Sequence, residues 1–374
     1  MFIMIVLVVA FCFYSVSSSQ EGLFQFNHLT SADGLSQSSV IAIHQDHLGR
    51  IWIGTRDGLN KYDGTNFEVY RSEEDNPKSI SNNDILSIHE DTDGFLWIGT
   101  YNGLNKYNPE TNEFKRYFHN EQSTSLTNNT IWTVEVLNQG EVWVGTSKGL
   151  SVYDKSKDSF RNYLNNFERP ILGQITSIFE TSKGQIFIGT GAGIYEVKIS
   201  ENNLDFSVLK GSETLFVQDI EEGHDNIILL GTRNRGVISY DTTKKVFTPY
   251  LGKVSTEVHS ENVRQLLFDT SGALWIGTYN GLQIVNSDKS VISIKDNIID
   301  NKGLSKNSIK ALFKDRKGSI WIGTYYGGIN IWDKTNVNFR SITQSLKGNG
   351  LNYSVVSSIE TYNDMVLFGT EGGG

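Results

Sequence analysis

Cysteine is almost absent from this chain of 374 residues: there is one, Cys12, and it lies in an apolar run at the N-terminus. Proline is scarce too, four against 36 glycines, so tight turns are expected and a Pro-rich linker is not. Histidine occurs seven times, at 28, 44, 47, 89, 119, 224 and 259, with no H-E-x-x-H and no paired metal-ligand spacing. No phosphate-cradling glycine loop leads into a helix, since Gly191-Ala192-Gly193 runs from one strand into another. Neither a metal nor an organic cofactor is therefore expected, and no ATP-binding or phosphoacceptor segment makes the chain a complete kinase. Blocks of like charge are also missing. With a formal net charge of -9, general affinity for nucleic acid or anionic membrane is not expected.

The N-terminal run MFIMIVLVVA, extended by FCFY, is about 13 apolar residues, too short to span a bilayer comfortably. It is followed by Ser15-Val16-Ser17-Ser18-Ser19, with small residues where a signal peptidase requires them, although no Lys or Arg precedes the run. Residues 1–19 thus read as a cleaved export signal. Phe11 ahead of Cys12 disfavours a lipid anchor. Once this segment is cleaved no cysteine remains, and stability rests on packing alone. No later stretch is long and apolar enough for a membrane helix.

What is abundant is self-similarity. An aromatic-aliphatic-Gly-Thr block, usually followed by two variable residues and Gly-Leu, occurs eight times, at Gly54, Gly99, Gly145, Gly189, Gly231, Gly277, Gly323 and Gly369, spaced 42 to 46 residues apart. The aromatic is Trp in five copies, Phe187 in the fourth, and Leu in the fifth and eighth. Each unit reads as four short strands. In the first, residues 39–45 (SVIAIHQ) alternate as an inner strand, and 46–49 form an Asp-x-x-Gly turn matched at 91–94, 269–272 and 315–318. The Trp strand comes next, then a turn carrying Gly58, then strands over 59–62 and about 66–71. Four strands per unit, repeated radially, predict an all-β β-propeller. The repeated Trp is expected to pack between neighbouring blades, and the Gly-Thr pair to allow close strand approach and cap a turn.

Residues 23–30 look like an outer strand without a blade of its own, which would complete the last blade and leave no open edge. A similar passage recurs at 338–343. We therefore expect a signal peptide over 1–19, a seven-bladed propeller over 20–336, and over 337–374 the start of a second propeller that the chain does not finish. A single eight-bladed ring is the alternative.

The run GRIWIGTRDGLNKYD at 49–63 resembles the two-component regulator propeller repeat, and FNHLTSADGLSQ at 26–37 resembles the start of that family's sensor domains. The resemblance covers nearly all of residues 23–374. It implies the periplasmic sensor region of a Bacteroidetes hybrid two-component histidine kinase, with two seven-bladed propellers, a further β domain, a membrane helix and a kinase. It also implies homodimeric signalling, and an oligosaccharide from polysaccharide breakdown as ligand. Copy five departs from the pattern, with Arg235-Gly236-Val237 in place of Gly-Leu.

The two variable residues after each Gly-Thr should gather on one face around the axis. They are Arg56-Asp57, Tyr101-Asn102, Ser147-Lys148, Gly191-Ala192, Arg233-Asn234, Tyr279-Asn280 and Tyr325-Tyr326. Tyr, Arg, Lys and amide side chains suit stacking on sugar rings and gripping anionic groups. Exposed turns are also polar for no functional reason, and that reading stands beside the first. No catalytic constellation is visible: most Asp and Glu sit at turns, and the Asp-x-x-Gly spacing differs from the sialidase S-x-D-x-G-x-x-W box. A secreted protein-docking propeller and a carbohydrate-active propeller enzyme are the alternatives to a sensor.

Overall fold

The computed structural model describes residues 24–164, 173–200, 203–250, 262–296 and 302–333, with 342, 344, 350–363 and 365–372 towards the C-terminus. The expected export segment and the stretch 338–341 lie outside the described residues. Seven four-stranded antiparallel sheets make the blades. Blade 1 runs outward through Val40–Gln45, Ile51–Thr55, Gly58–Tyr62 and Phe67–Tyr70. Blades 2 to 6 repeat this order from inner strands Ile85–Glu90, Ile131–Val136, Ile175–Glu180, Val217–Glu222 and Val263–Phe268. Blade 7 has Ile309–Lys314, Ile320–Thr324 and Ile329–Trp332. Its outer strand is Asn27–Leu29, with Asn27 opposite Ile331 and Leu29 opposite Ile329. The inner strands pack in succession, blade 7 against blade 1, so the ring closes at seven and not at eight. The only helical element among the described residues is a 3-10 turn, Ser31–Asp33.

The core is not central. It lies in seven slabs, each between consecutive blades. Trp52 packs with Ile85, Ile98 and Tyr107 of blade 2. Trp97 packs against blade 3, Trp143 against blade 4, and Phe187 against blade 5. Leu229 fills the same place before blade 6, Trp275 before blade 7, and Trp321 meets Val40, Ile51 and Ile53 of blade 1. Each such burial contributes on the order of 2–3 kcal/mol. The glycine of the motif is required by this packing: a Cβ on Gly54 would stand 2.5 Å from Ile85 Cγ2 of the next blade.

Residues from Asp333 form a second unit. Its described strands, Val356–Tyr362 and Met365–Thr370, pair antiparallel with a register shift between Val356 and Ser358. That shift matches the one between Val40 and Ala42 in blade 1.

Candidate ligand site at the turn face of the ring

The threonine of each Gly-Thr pair builds the turn that follows it. Thr55 Oγ1 accepts the Asp57 N–H at 3.0 Å and donates to Gly58 O at 3.1 Å. Thr100, Thr146, Thr190 and Thr278 do the same in their own blades. Gly58 has φ 120°, and a Cβ there would meet Tyr70 O at 2.8 Å. In blades 2, 4, 6 and 7 the turn is held between two loops: Tyr101 N–H, for example, donates to Asp84 O ahead of its own inner strand, and Gly103 N–H donates to Asn129 O ahead of the next. The variable residues are thereby fixed on one face. In blades 5 and 7 the turn is one residue longer, Thr232 and Thr324 donating to Gly236 O and Gly328 O.

These residues separate into two groups. Arg56 pairs with Asp84 at 3.4 Å and Asp57 with Arg71 at 3.1 Å, so both are engaged by neighbouring loops. Asn234 clamps the loop before blade 5 through Thr214 O at 3.0 Å and the Phe216 N–H at 3.4 Å. Tyr101, Asn102 and Lys148 are exposed, and Tyr101 makes no aromatic contact with the other tyrosines. On blades 6 and 7, by contrast, Tyr279 and Tyr325 converge on one guanidinium. Arg264 Cζ lies 5.1 Å from the Tyr279 ring centroid and 5.2 Å from that of Tyr325, within cation–π range. Tyr326 lies beside Tyr325, its ring 6.1 Å away, and is 73% exposed. Asn280 is exposed beside Tyr279, and Arg233 stacks over Phe216 at 5.4 Å.

Arg264 belongs to a ring that sequence reasoning missed. In every blade the second residue of the inner strand is a bulge, skipped by the register with the next strand. The bulged residues are Ile41, Leu86, Trp132, Thr176, Gln218, Arg264 and Lys310, all at the turn end of the hub. Trp132 Nε1 donates to Ser147 Oγ at 2.9 Å. Thr176, Gln218 and Arg264 each donate to the first carbonyl of the following inner strand, Val217, Val263 and Ile309. A signal was available. The first and fourth positions of the inner strands are always aliphatic, whereas the second carries a different residue in each blade.

The hub is also where the titrations are perturbed. Burial lowers the Arg264 guanidinium from its ordinary value; Arg233 adds to this, while Tyr325 and Tyr279 oppose it. Burial, with help from Arg264, pulls Lys310 down to about 8, against the pull of Asp219. Burial lifts Asp219 to about 7 although it accepts the Leu266 N–H at 2.7 Å. Burial and Asp219 lift Glu221 to about 8. These groups are enclosed by protein yet keep part of their surface accessible. His44 and His89, 5.3 Å apart by ring centroids, sit deeper along the hub. Burial drops His44 to about 3, whereas Glu135, 3.5 Å from His89, raises that ring despite its burial. Among the described residues no group of three or more His, Cys, Asp or Glu is placed to hold a metal.

Fold and site together define a seven-bladed β-propeller with a hub mouth lined by variable side chains. Residues 34–57, 79–102 and 303–326 match the family described as Two component regulator propeller, and each match runs from the loop ahead of an inner strand to the turn bearing the candidate residues. Three stretches of the chain thus carry the two-component regulator propeller repeat. The chain is 44% identical over 98% of its length to histidine kinase P4 of Formosa agariphila, of which it covers 28%. A solved extracellular domain assigned to a hybrid two component system of B. thetaiotaomicron superposes with a TM-score of 0.72 at 28% identity, over 94% of this chain and 47% of that one. Another from the same organism, assigned to a one component system, gives a TM-score of 0.68 at 25% identity, over 85% and 40%. The chain thus spans about a quarter of the curated relative and under half of each solved domain.

Proposed function

We propose that this chain is the exported, periplasmic ligand-sensing region of a hybrid two-component histidine kinase, and that it binds an oligosaccharide released from a polysaccharide. The sensor reading is supported by the relatives, which are a histidine kinase and extracellular domains of signalling systems. The ligand reading rests on one observation: Tyr279 and Tyr325 flank Arg264 at the hub mouth, with the exposed Tyr326 beside Tyr325. Flat aromatic faces beside a planar cation suit sugar rings and their polar rims. The output belongs to the attached kinase, which signals as a dimer beyond the membrane. Among the described residues no helix is long and apolar enough to cross a membrane.

The same reading assigns residues 337–374 to the start of a second propeller. Ser357 Oγ donates to Gly369 O in the second unit as Thr176 Oγ1 donates to Gly189 O in blade 4. The exposed Leu367 of this hairpin stands where Trp52 stands in blade 1, and is the side chain that a following blade would bury.

The test is an oligosaccharide binding screen with the chain, followed by mass spectrometry of the recovered ligand. A retained, chemically unaltered glycan is expected, with Tyr279→Ala plus Tyr325→Ala weakening binding at least tenfold and Tyr101→Ala doing less. Binding that survives alanine at Tyr101, Tyr279 and Tyr325 together would sink the site. A change in ligand mass would favour an enzyme, and capture of a protein with no glycan bound would favour a docking propeller.

A further inference from the structure

Resting on that saccharide reading, we infer that the ligand is anionic, and that Lys310 and Arg264 hold its carboxylate or sulfate at the hub mouth. Blade 7 breaks a pattern that blades 4 to 6 share. Thr176, Gln218 and Arg264 spend their side-chain donors on the first carbonyl of the next inner strand. Lys310 occupies the same bulge in blade 7, where blade 1 follows, yet its ammonium donates no hydrogen bond to any described residue. The Lys310 ammonium is crowded by protein but keeps part of its surface accessible, so its donors are open to the oxygens of a ligand. Arg264 adds to the supply, because only Nη1 is engaged, by Ser308 Oγ at 2.9 Å and Ile309 O at 3.2 Å. Its Cζ stands 5.1 Å from the Tyr279 ring centroid and 5.2 Å from that of Tyr325, so the guanidinium has an aromatic ring within cation–π range on two blades.

The surrounding charge favours an anion. Arg233 lies near enough to act on Arg264, and Arg264 on Lys310. The carboxylate acting on Lys310 is Asp219, which already receives the Leu266 N–H and is close to half-protonated at neutral pH. Glu135 acts on Asp219 from blade 3 and helps to keep it protonated. Three cations face Asp219, which is partly neutralised, while Glu221 keeps its proton to about 8 and Glu135 lies against His89 at 3.5 Å, so this part of the hub favours an anion in a chain whose net charge is negative. An oxyanion matches the geometry of a guanidinium and an ammonium together. The flanking tyrosines then select one carried on a sugar ring over a free inorganic ion.

The test is an array of neutral, uronic-acid and sulfated oligosaccharides, run with the chain and with Lys310→Gln, Lys310→Arg and Arg264→Gln, alongside titration with inorganic sulfate. Retention of acidic glycans is expected, lost at least tenfold in Lys310→Gln and Arg264→Gln and kept in Lys310→Arg. The Gln variants should melt no lower than the parent, because each removes an enclosed charge. If only neutral glycans are retained, or if the Gln variants bind acidic ones as the parent does, the anion site is overturned while saccharide sensing stands. If no glycan is retained but sulfate binds in a Lys310-dependent way, the anion site stands and the saccharide reading falls. If neither glycan nor sulfate binds, both fall.

Discussion

Asp91 Oδ1 accepts the N–H groups of Asp93 and Phe95 at 3.0 Å, closing the turn, while Oδ2 takes the Trp97 indole N–H at 2.7 Å. The same fork joins Asp46 to Trp52, Asp269 to Trp275 and Asp315 to Trp321. Where the Trp is replaced the Asp goes with it: Thr181 accompanies Phe187, and Gly223 accompanies Leu229. The carboxylate therefore answers a polar atom that the packed indole would otherwise leave buried and unpaired. Asp91→Ala should cost about 1–3 kcal/mol in urea unfolding, and clearly less in a Trp97→Phe background. Equal costs in both backgrounds would mean that the Asp acts on the turn alone. For Asp46 and Asp269 burial opposes the charge, but the hydrogen bonds they accept outweigh it and lower both pKa values. Their contribution is present above the ordinary carboxylate value and is lost as pH falls below it.

At the scale of the inner strand, alternation and β-branching made the elements legible, and the Asp-x-x-Gly and Gly-Thr signals marked their turns. Register was harder to read. Within any one strand a bulge leaves no signature, and only comparison across the blades exposes the variable second position. Half of the candidate site was visible for that reason: Tyr279 and Tyr325 stand on turns, whereas Arg264 and Lys310 are aimed by a bulge. Reading Asp and Glu as turn residues holds for Asp46 and Asp91 but misses Asp219 and Glu221, which lie within a strand. Glu221 gives a pH test. Unfolded, it ionises near its ordinary 4.5; folded, it keeps its proton to about 8 because of burial and Asp219. Between these values the native state binds the additional proton, so stability falls as pH rises through the window. Glu221→Gln should remove part of that slope, raising the thermal midpoint at pH 8 relative to pH 5 by on the order of 2–4 °C. Parallel pH profiles for parent and variant would show that Glu221 is ionised in the fold.

At the scale of the molecule, ring closure and ligand binding meet in blade 7. Three strands of that blade come from residues 309–332 and the fourth from Asn27–Leu29, so the first and last described parts of the ring are joined by one short ladder. Side chains reinforce it. Phe24 contacts Trp275 at 5.8 Å and Trp332 at 5.7 Å between centroids, and Phe26 is 1% exposed in the slab between blades 6 and 7. Removing residues 20–30 leaves the Ile329–Trp332 edge unpaired and opens that slab. Lys310, Tyr325 and Tyr326 stand on this same composite blade, so their placement depends on closure. The shortened chain should melt at least 10 °C lower and lose most glycan binding. Because a ligand that binds only the closed ring stabilises it, saturating glycan should raise the midpoint of the intact chain and leave that of the shortened one unmoved. A shortened chain that melts lower but still gains stability from the glycan would place the site away from the seam, on the blade 2 and 3 side with Tyr101 and Lys148. An unchanged midpoint would show that the N-terminal strand lies on blade 7 without holding the ring closed.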